Sequence, residues 1–329
     1  MRLILPILFL STPALALDCA EGQRVFAHPM VLGGSACVPI APERVALVHT
    51  EAIPAFLLGI ETVTTNVYFD MFLATYPGTM ADGWRDTVVD VGYLPEADLE
   101  SVAAAAPDLI VSASWHPEAN EKLAAIAPTV VLSYEGPDLH WTDAQRAIAA
   151  LFDKEAELAE AEAALEARMA DFRDRLGDRL PTFSTLQVGS TPTELYVETA
   201  INFAPLFMQE LGFVMAPGVM SPEDAGLIDS VWWYKLSPER ITDVEADYIL
   251  FRPGYDEQAE AAFRDGPLWQ SLAALREGRI IRPQDKEGHT WSRENLAFAH
   301  IMLDDLYRDV LGLSPPPTAN PYALWQIAE

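Results

Sequence analysis

Trp115 and His116 follow directly on the apolar run DLIVSAS (108–114), Trp232, Trp233 and Tyr234 stand together, and Arg252 closes the run YILF (248–251). An indole placed just after a strand, or doubled ahead of a helix, offers a broad apolar face with a polar edge and suits the lining of a pocket. A guanidinium at a strand end can donate a fork of hydrogen bonds to ligand oxygens. Tyr93, Ser190 and Thr191, and the stretch 288–291 with Trp291, fall at comparable loop positions. Trp141, Trp269 and Trp325 lie in helical stretches and are expected to pack inside. Such side chains bind; they do not form a reaction centre. The chain has no G-x-S-x-G elbow, no H-E-x-x-H and no phosphate loop, and VGSTPTE lacks the second glycine of an elbow. Its six histidines, His28, His49, His116, His140, His289 and His300, include no pair at metal-ligand spacing. No enzyme activity and no resident metal or cofactor is therefore expected.

The elements that position these residues are legible in the apolar runs. RVALV (44–48), TVVDVG (87–92), DLIVSAS, TVVLS (129–133), STLQVGS (184–190), YILF and GRIIRP (278–283) read as strands. Helical stretches such as NEKLAAIA and APLFMQELG lie between them, which predicts parallel sheets with helices on their faces. Part of the pattern occurs twice. Glu100 and Glu239 each precede an aspartate by eight residues, Asp108 and Asp247, while Val102 matches Ile241 and Ile110 matches Ile249. LAAIAPTVV (123–131) likewise resembles LAALREGRII (272–281). Offsets of 139 and then 149 residues predict two similar lobes, the second with about ten inserted residues, and a period this long excludes a solenoid. Between the repeats, Leu151, Leu158, Leu165, Phe172 and Leu176 form an apolar stripe among charges, with Gly177 and Pro181 as stop signals. Thr142 and Gln145 have the spacing of a capping box. The expected organisation is a leader over 1–16, an N-terminal lobe over 17–150, a rigid connecting helix over 151–177 and a C-terminal lobe over 178–329.

Met1-Arg2, an apolar run to Leu10 and Ala14-Leu15-Ala16 have the form of a cleavable secretory signal, too short for a permanent membrane anchor. Asp18 before Cys19 argues against lipid attachment. Cys19 and Cys37, the two cysteines of an exported chain, are expected to form a disulfide. A net charge of −28, from 49 acids against 21 Lys+Arg, excludes a nucleic-acid partner, whose phosphates need a basic face.

With its two lobes, long connector and repeated E-x-[VI]-x6-D-x-I frame, the chain resembles the periplasmic substrate-binding proteins of iron–siderophore and cobalamin ABC importers. The resemblance runs over residues 40–312 and is strongest at DVGYLPEADLESVAAAAPDLIVSAS, LSPERITDVEADYIL and GPLWQSLAALREGRI. D-V-G-x(5)-D-L-E and P-L-W-Q-x-L are closest to the ferric-hydroxamate binders. It implies a class III periplasmic-binding-protein fold, a monomer in the periplasm, and an iron(III)–siderophore held between the lobes; haem or cobalamin is the alternative ligand, with Tyr93, His116 or His289 as axial candidates. It implies that Trp115 and either Trp232 or Trp233 line the cleft, where the loop positions also place Arg252, Tyr93, His116 and Trp291. Glu100 and Glu239 would meet basic residues of the inner-membrane permease. One departure stands out: the arginine that contacts hydroxamates in the family is Leu94 here, which leaves Arg85 or Arg252 to replace it. A hydroxamate or carboxylate chelate is favoured over a catecholate, which would want several arginines.

Overall fold

The structure is a computed structural model and describes residues 17–48, 55, 58–65, 88–92, 94–134, 139–284, 291 and 295–316. The expected leader over 1–16, Tyr93, Arg85, His289 and the loop 49–51 lie outside them. The chain enters through an antiparallel hairpin that the sequence did not announce, β1 (Gln23–Ala27) with β2 (Ser35–Pro39). Cys19 and Cys37 are disulfide-bonded with Cα atoms 5.5 Å apart, as expected, and this ties the entering segment to β2. Closing that span restrains the unfolded chain by about 3 kcal/mol in the loop-entropy picture. An antiparallel bridge from Val31 to Leu132 fastens the hairpin to the lobe behind it.

The N-terminal lobe is a parallel sheet of β3 (Val45–Leu47), β4 (Thr64–Thr65), β5 (Val89–Asp90), β6 (Leu109–Ala113) and β7 (Thr129–Leu132). β3, β6 and β7 pair in that order, β4 pairs with β5, and a parallel bridge from Val45 to Thr62 joins the two groups. All five residues of β6 are buried, as befits a strand covered on both faces. Leu109 and Val111 point into one apolar cluster and Ile110 into another.

In the C-terminal lobe β8 (Thr182–Val188), β10 (Val214–Met215), β12 (Tyr248–Arg252) and β13 (Ile280–Ile281) are parallel, while β9 (Leu195–Glu198) and β11 (Trp233–Leu236) run antiparallel at one edge. The parallel core β10-β8-β12-β13 repeats β4-β3-β6-β7. One helix, Pro117–Ala124, links β6 to β7, whereas Glu257–Asp265, Pro267–Ser271 and Ala273–Arg276 link β12 to β13. That difference is the inserted length seen in the repeat.

The connector is the helix Glu155–Leu176, 22 residues or roughly 33 Å at 1.5 Å per residue. It is separated from the helix Asp143–Leu151 by a break in which Asp153 takes φ 55°. All five stripe residues are buried. Gly177, at φ 67°, ends the helix as expected. The capping box does not form. Thr142 is itself helical in backbone and its hydroxyl bonds His140 Nδ1 at 2.7 Å, while Gln145 turns inward to accept from Leu296 N at 3.0 Å. A buried backbone donor across the interface outcompetes the local cap.

The connector does not stand free. Arg168 reaches across to the terminal helix Leu296–Asp309, donating to His300 O at 3.2 Å and Asp304 Oδ1 at 2.5 Å, with His300 Nδ1 2.9 Å from Nη1. Phe172 meets Tyr307 edge to face at 5.5 Å. One apolar cluster therefore runs from Leu47 and Val111 through Leu158 and Phe172 to Phe183 and Leu250.

Candidate ligand-binding site

Period-two alternation builds one surface from four strands. Leu186 and Val188 of β8, Leu195 and Val197 of β9, Tyr234 and Leu236 of β11 and Phe251 of β12 all point into the cluster behind the C-terminal sheet. Thr185 and Gln187, Tyr196 and Glu198, Trp233, and Arg252 accordingly share the opposite face, and they line a small recess of about 80 Å³. The lower part of that face, at Phe183 and Leu250, is covered by the cluster containing the connector, so only the part toward the C-terminal strand ends is open. Ligands of open α/β sheets bind at such ends.

Most polar groups of the recess are paired with one another. Arg252 Nη1 lies 2.5 Å from Glu198 Oε1, with side chains 12% and 8% exposed. Asn202 donates to the same oxygen at 2.8 Å, and the Thr185 hydroxyl accepts from Glu198 N at 2.8 Å. Beside them Lys235 donates to Glu194 Oε1 at 2.9 Å and Tyr196 donates to it at 2.8 Å. The Lys235 ammonium, then the Tyr196 hydroxyl and Ser190 N, hold the Glu194 carboxyl down at about 2. Each cation on this wall has its own acid. Around them Tyr196 meets Trp233 at 5.4 Å and Tyr255 at 5.6 Å, both edge to face.

In the N-terminal lobe Trp115 follows β6, is 46% exposed, and stacks on Tyr134 with centroids 4.5 Å apart. Its turn is pinned by Asn120, which donates to Ala113 O at 2.7 Å and accepts from the Ser112 hydroxyl at 2.7 Å. His116 is half-buried in the same turn and its carbonyl accepts from Asn120 N at 3.0 Å. Trp115 and Tyr134 thus sit at strand C-termini, as Arg252 does in the other lobe.

Other expectations change. Trp233 does not stand in a loop before a helix: it begins β11, and pairing with Glu198 turns its ring to the open face. Trp232 is 40% exposed beside it. Trp291 is fully buried and donates from Nε1 to Asp305 Oδ2 at 2.9 Å. A ring held there packs the interior and lines no open cleft. Leu94, at the position of the family arginine, is also fully buried, so no side chain at that position reaches a ligand here. Glu198, Asn202, Tyr196 and Tyr255 were not anticipated. The signal for Tyr196 and Glu198 lies in LYVE, whose alternation matches TLQV across a short turn.

Glu100 is exposed in the first turn of the helix Leu99–Ala104, which Asp98 caps by accepting from Glu100 N and Ser101 N, both at 3.1 Å. Glu239 is exposed in the first turn of the 3₁₀ segment Pro238–Val244, where a bond from the Ser237 hydroxyl lowers its pKa. The two lobes present these acids at equivalent places. Among the described residues no helix is long and apolar enough to cross a membrane.

Three solved structures share this fold. They are Staphylococcus aureus SirA complexed with staphyloferrin B (21% identical, TM-score 0.69, covering 89% of this chain and 100% of that one), the FhuD protein from S. pseudintermedius (19%, TM-score 0.69, 88% and 99%) and the Fe3+–Desferal-bound siderophore-binding FhuD from Vibrio cholerae (21%, TM-score 0.64, 83% and 99%). No curated protein matches the chain. The family profile described as periplasmic binding protein matches residues 52–286. With two lobes, a helical connector and an open face at the strand ends, the chain belongs to the periplasmic binding protein family.

Proposed function

We propose that the protein captures an iron(III)–siderophore between its lobes outside the cytoplasm and delivers it, as a monomer, to the permease of an ABC importer. The observation that carries this reading is the open sheet face, where Trp233, Tyr196 and Tyr255 surround the Arg252–Glu198 pair. Large rings grip a bulky chelate at low entropic cost, and fixed polar groups orient it. Trp115 on Tyr134 supplies the matching wall from the other lobe, with Trp232 and His116 at the margins. Among the fold neighbours, two are named with bound chelates, which supports the ligand class.

The charges favour one kind of chelate. Arg252 and Lys235 are each matched by a carboxylate, so this wall offers a polyanion no net attraction, and the chain around it carries −28. A near-neutral hydroxamate fits better than a catecholate, with a carboxylate chelate next. Glu100 and Glu239, one per lobe, would set the register on a two-fold permease by charge complementarity.

Ferric chelates absorb where indole emits, so binding should quench tryptophan fluorescence. Titration with a ferric trihydroxamate, ferric citrate, ferric catecholate, haem and cobalamin should give the strongest quenching with the trihydroxamate. If no ferric chelate quenches, the reading fails; if haem or cobalamin alone binds, the ligand class is theirs.

A further inference from the structure

Among the described residues that line the recess, Glu198 is the one acid and Arg252 the one base. Glu198 is fixed independently of its partner. The regular ladder between β8 and β9 joins Gln187 to Tyr196 and Val188 to Leu195, and stops short of it. There the Thr185 hydroxyl takes over and accepts from Glu198 N at 2.8 Å. On the other side Glu198 pairs with Trp233 of β11. Its carboxylate is held from a third direction. Asn202 caps the helix Phe203–Glu210 by accepting from Phe203 N at 3.0 Å, and its amide donates to Glu198 Oε1 at 2.8 Å. Strand pairing, a hydroxyl and a helix cap thus set the acid in place, and Arg252 meets it from β12.

A buried ion pair is seldom worth more to a fold than apolar side chains of the same size. In the wall of a ligand site it has a further effect. An arginine alone at the end of β12 would draw in any anionic chelate. With Glu198 2.5 Å from it, the pair presents donors and acceptors but no net charge. Both side chains are nearly buried, so water screens little of this. The neighbouring Glu194–Lys235 pair differs: its side chains are 26% and 54% exposed, and solvent damps its field. We infer that Glu198 is the specificity-determining residue of the recess: its charge turns away the anionic chelates that Arg252 alone would accept and leaves neutral ones admitted. This rests on the chelate reading of the recess and assigns its selectivity to one carboxylate.

The test measures the affinity of the full mature protein for two probes, the neutral ferric complex of N-acetyl Desferal and a trianionic ferric tris(catecholamide). The parent should prefer the hydroxamate. Glu198→Gln keeps the shape and an acceptor for Arg252 and Asn202 but loses the charge. In it the ratio of catecholate to hydroxamate affinity should rise at least tenfold. In Glu198→Gln/Arg252→Gln, where both charges are gone, the ratio should return to within threefold of the parent's. Glu194→Gln, the same charge change in the exposed pair, should move the ratio less than threefold. An unchanged ratio in Glu198→Gln, even with both affinities lowered, makes the residue merely structural; it overturns the inference and leaves the chelate reading standing. A rise in Glu194→Gln as large as in Glu198→Gln also overturns it, because the overall charge of −28 is then the selector. If Glu198→Gln does not fold, the double variant decides: a parental ratio upholds the inference and a tenfold higher one overturns it. A parent that prefers the catecholate refutes the inference, and one that binds neither probe sinks the hydroxamate reading with it.

Discussion

Asp108 and Asp247, 139 residues apart in sequence, make the same connection in their two lobes. Asp108 accepts from Glu43 N at 2.7 Å and Arg44 N at 3.0 Å, at the entrance to β3. Asp247 accepts from Thr182 N at 2.8 Å and from the Thr182 hydroxyl at 3.0 Å, at the entrance to β8. Each carboxylate sits just before one strand and receives the first donors of its neighbour. Asp108→Ala and Asp247→Ala should each lower stability by about 1–2 kcal/mol, the range for losing charge-assisted hydrogen bonds near the surface. Because they serve separate lobes, the double variant should lose close to the sum. Denaturant midpoints check this, and a double variant no worse than either single one would show that the two bonds are not equivalent.

The glutamates of the same frame carry no comparable load. Both are exposed, and the side chain of Glu239 accepts from its neighbour Ser237. Glu100→Ala with Glu239→Ala should abolish uptake in cells while chelate affinity and melting temperature stay unchanged. Normal uptake by the double variant would remove the docking assignment.

Three tryptophans should separate cleanly. Trp115→Ala and Trp233→Ala should weaken ligand binding by about 1–3 kcal/mol, as truncated aromatic anchors do, with little change in stability. Trp291→Ala should instead destabilise the fold by about 3–5 kcal/mol, since it empties a fully buried site and removes one donor from the Asp305 carboxylate. Calorimetric titration and thermal melting on the same three proteins give both readouts. A stable Trp291→Ala protein with impaired binding would reverse the assignment.

Two buried groups on the terminal helix should pull the acid limb of stability in opposite directions. Burial, then the Arg168 charge, lowers His300 to about 3. Folding thus weakens its hold on a proton, and stability is lost as pH falls from the ordinary imidazole value of 6.5 toward 3. Burial raises Asp305 to about 6 against the bonds from Trp291 and Arg308. Folding strengthens its hold on a proton, so its unfavourable contribution shrinks as pH falls from 6 through the ordinary 3.8. Between pH 4 and 6, His300→Gln should flatten the loss of stability on acidification and Asp305→Asn should steepen it. Melting temperatures across that window decide the matter; equal slopes in both variants would contradict it.

Much of the parallel architecture could be read from the sequence because strands buried on both faces leave unmistakable apolar runs, as DLIVSAS and YILF do. The repeat was legible because Asp108 and Asp247, Val102 and Ile241, and Ile110 and Ile249 serve a bond or a buried contact in each lobe. β9 and β11 were not, since an antiparallel edge open on one side alternates, and LYVE and WYKL resemble loop sequence when read for apolar content. The site suffered most from that. Trp233 was picked out for its type and given the wrong local structure, whereas Glu198 was passed over because its partner Arg252 is 54 residues away. Trp291 was misjudged for a complementary reason: whether a loop tryptophan points out or in depends on a distant acceptor, here Asp305.

The apolar cluster that passes through the connector has a consequence for the molecule's history and handling. A protein assembled from two similar halves could have kept them as independently folding units. Here Leu158, Leu165 and Phe172 are shared property of both halves, bordered by Leu47 and Val111 on one side and Phe183 and Leu250 on the other. Either half expressed alone would leave that shared surface facing water. The mature chain should therefore melt in one calorimetric transition whose van't Hoff and calorimetric enthalpies agree, and a protease acting near Asp153 should yield no persistent half-size fragment. Duplication made the lobes alike, but the helix between them has made them a single cooperative unit.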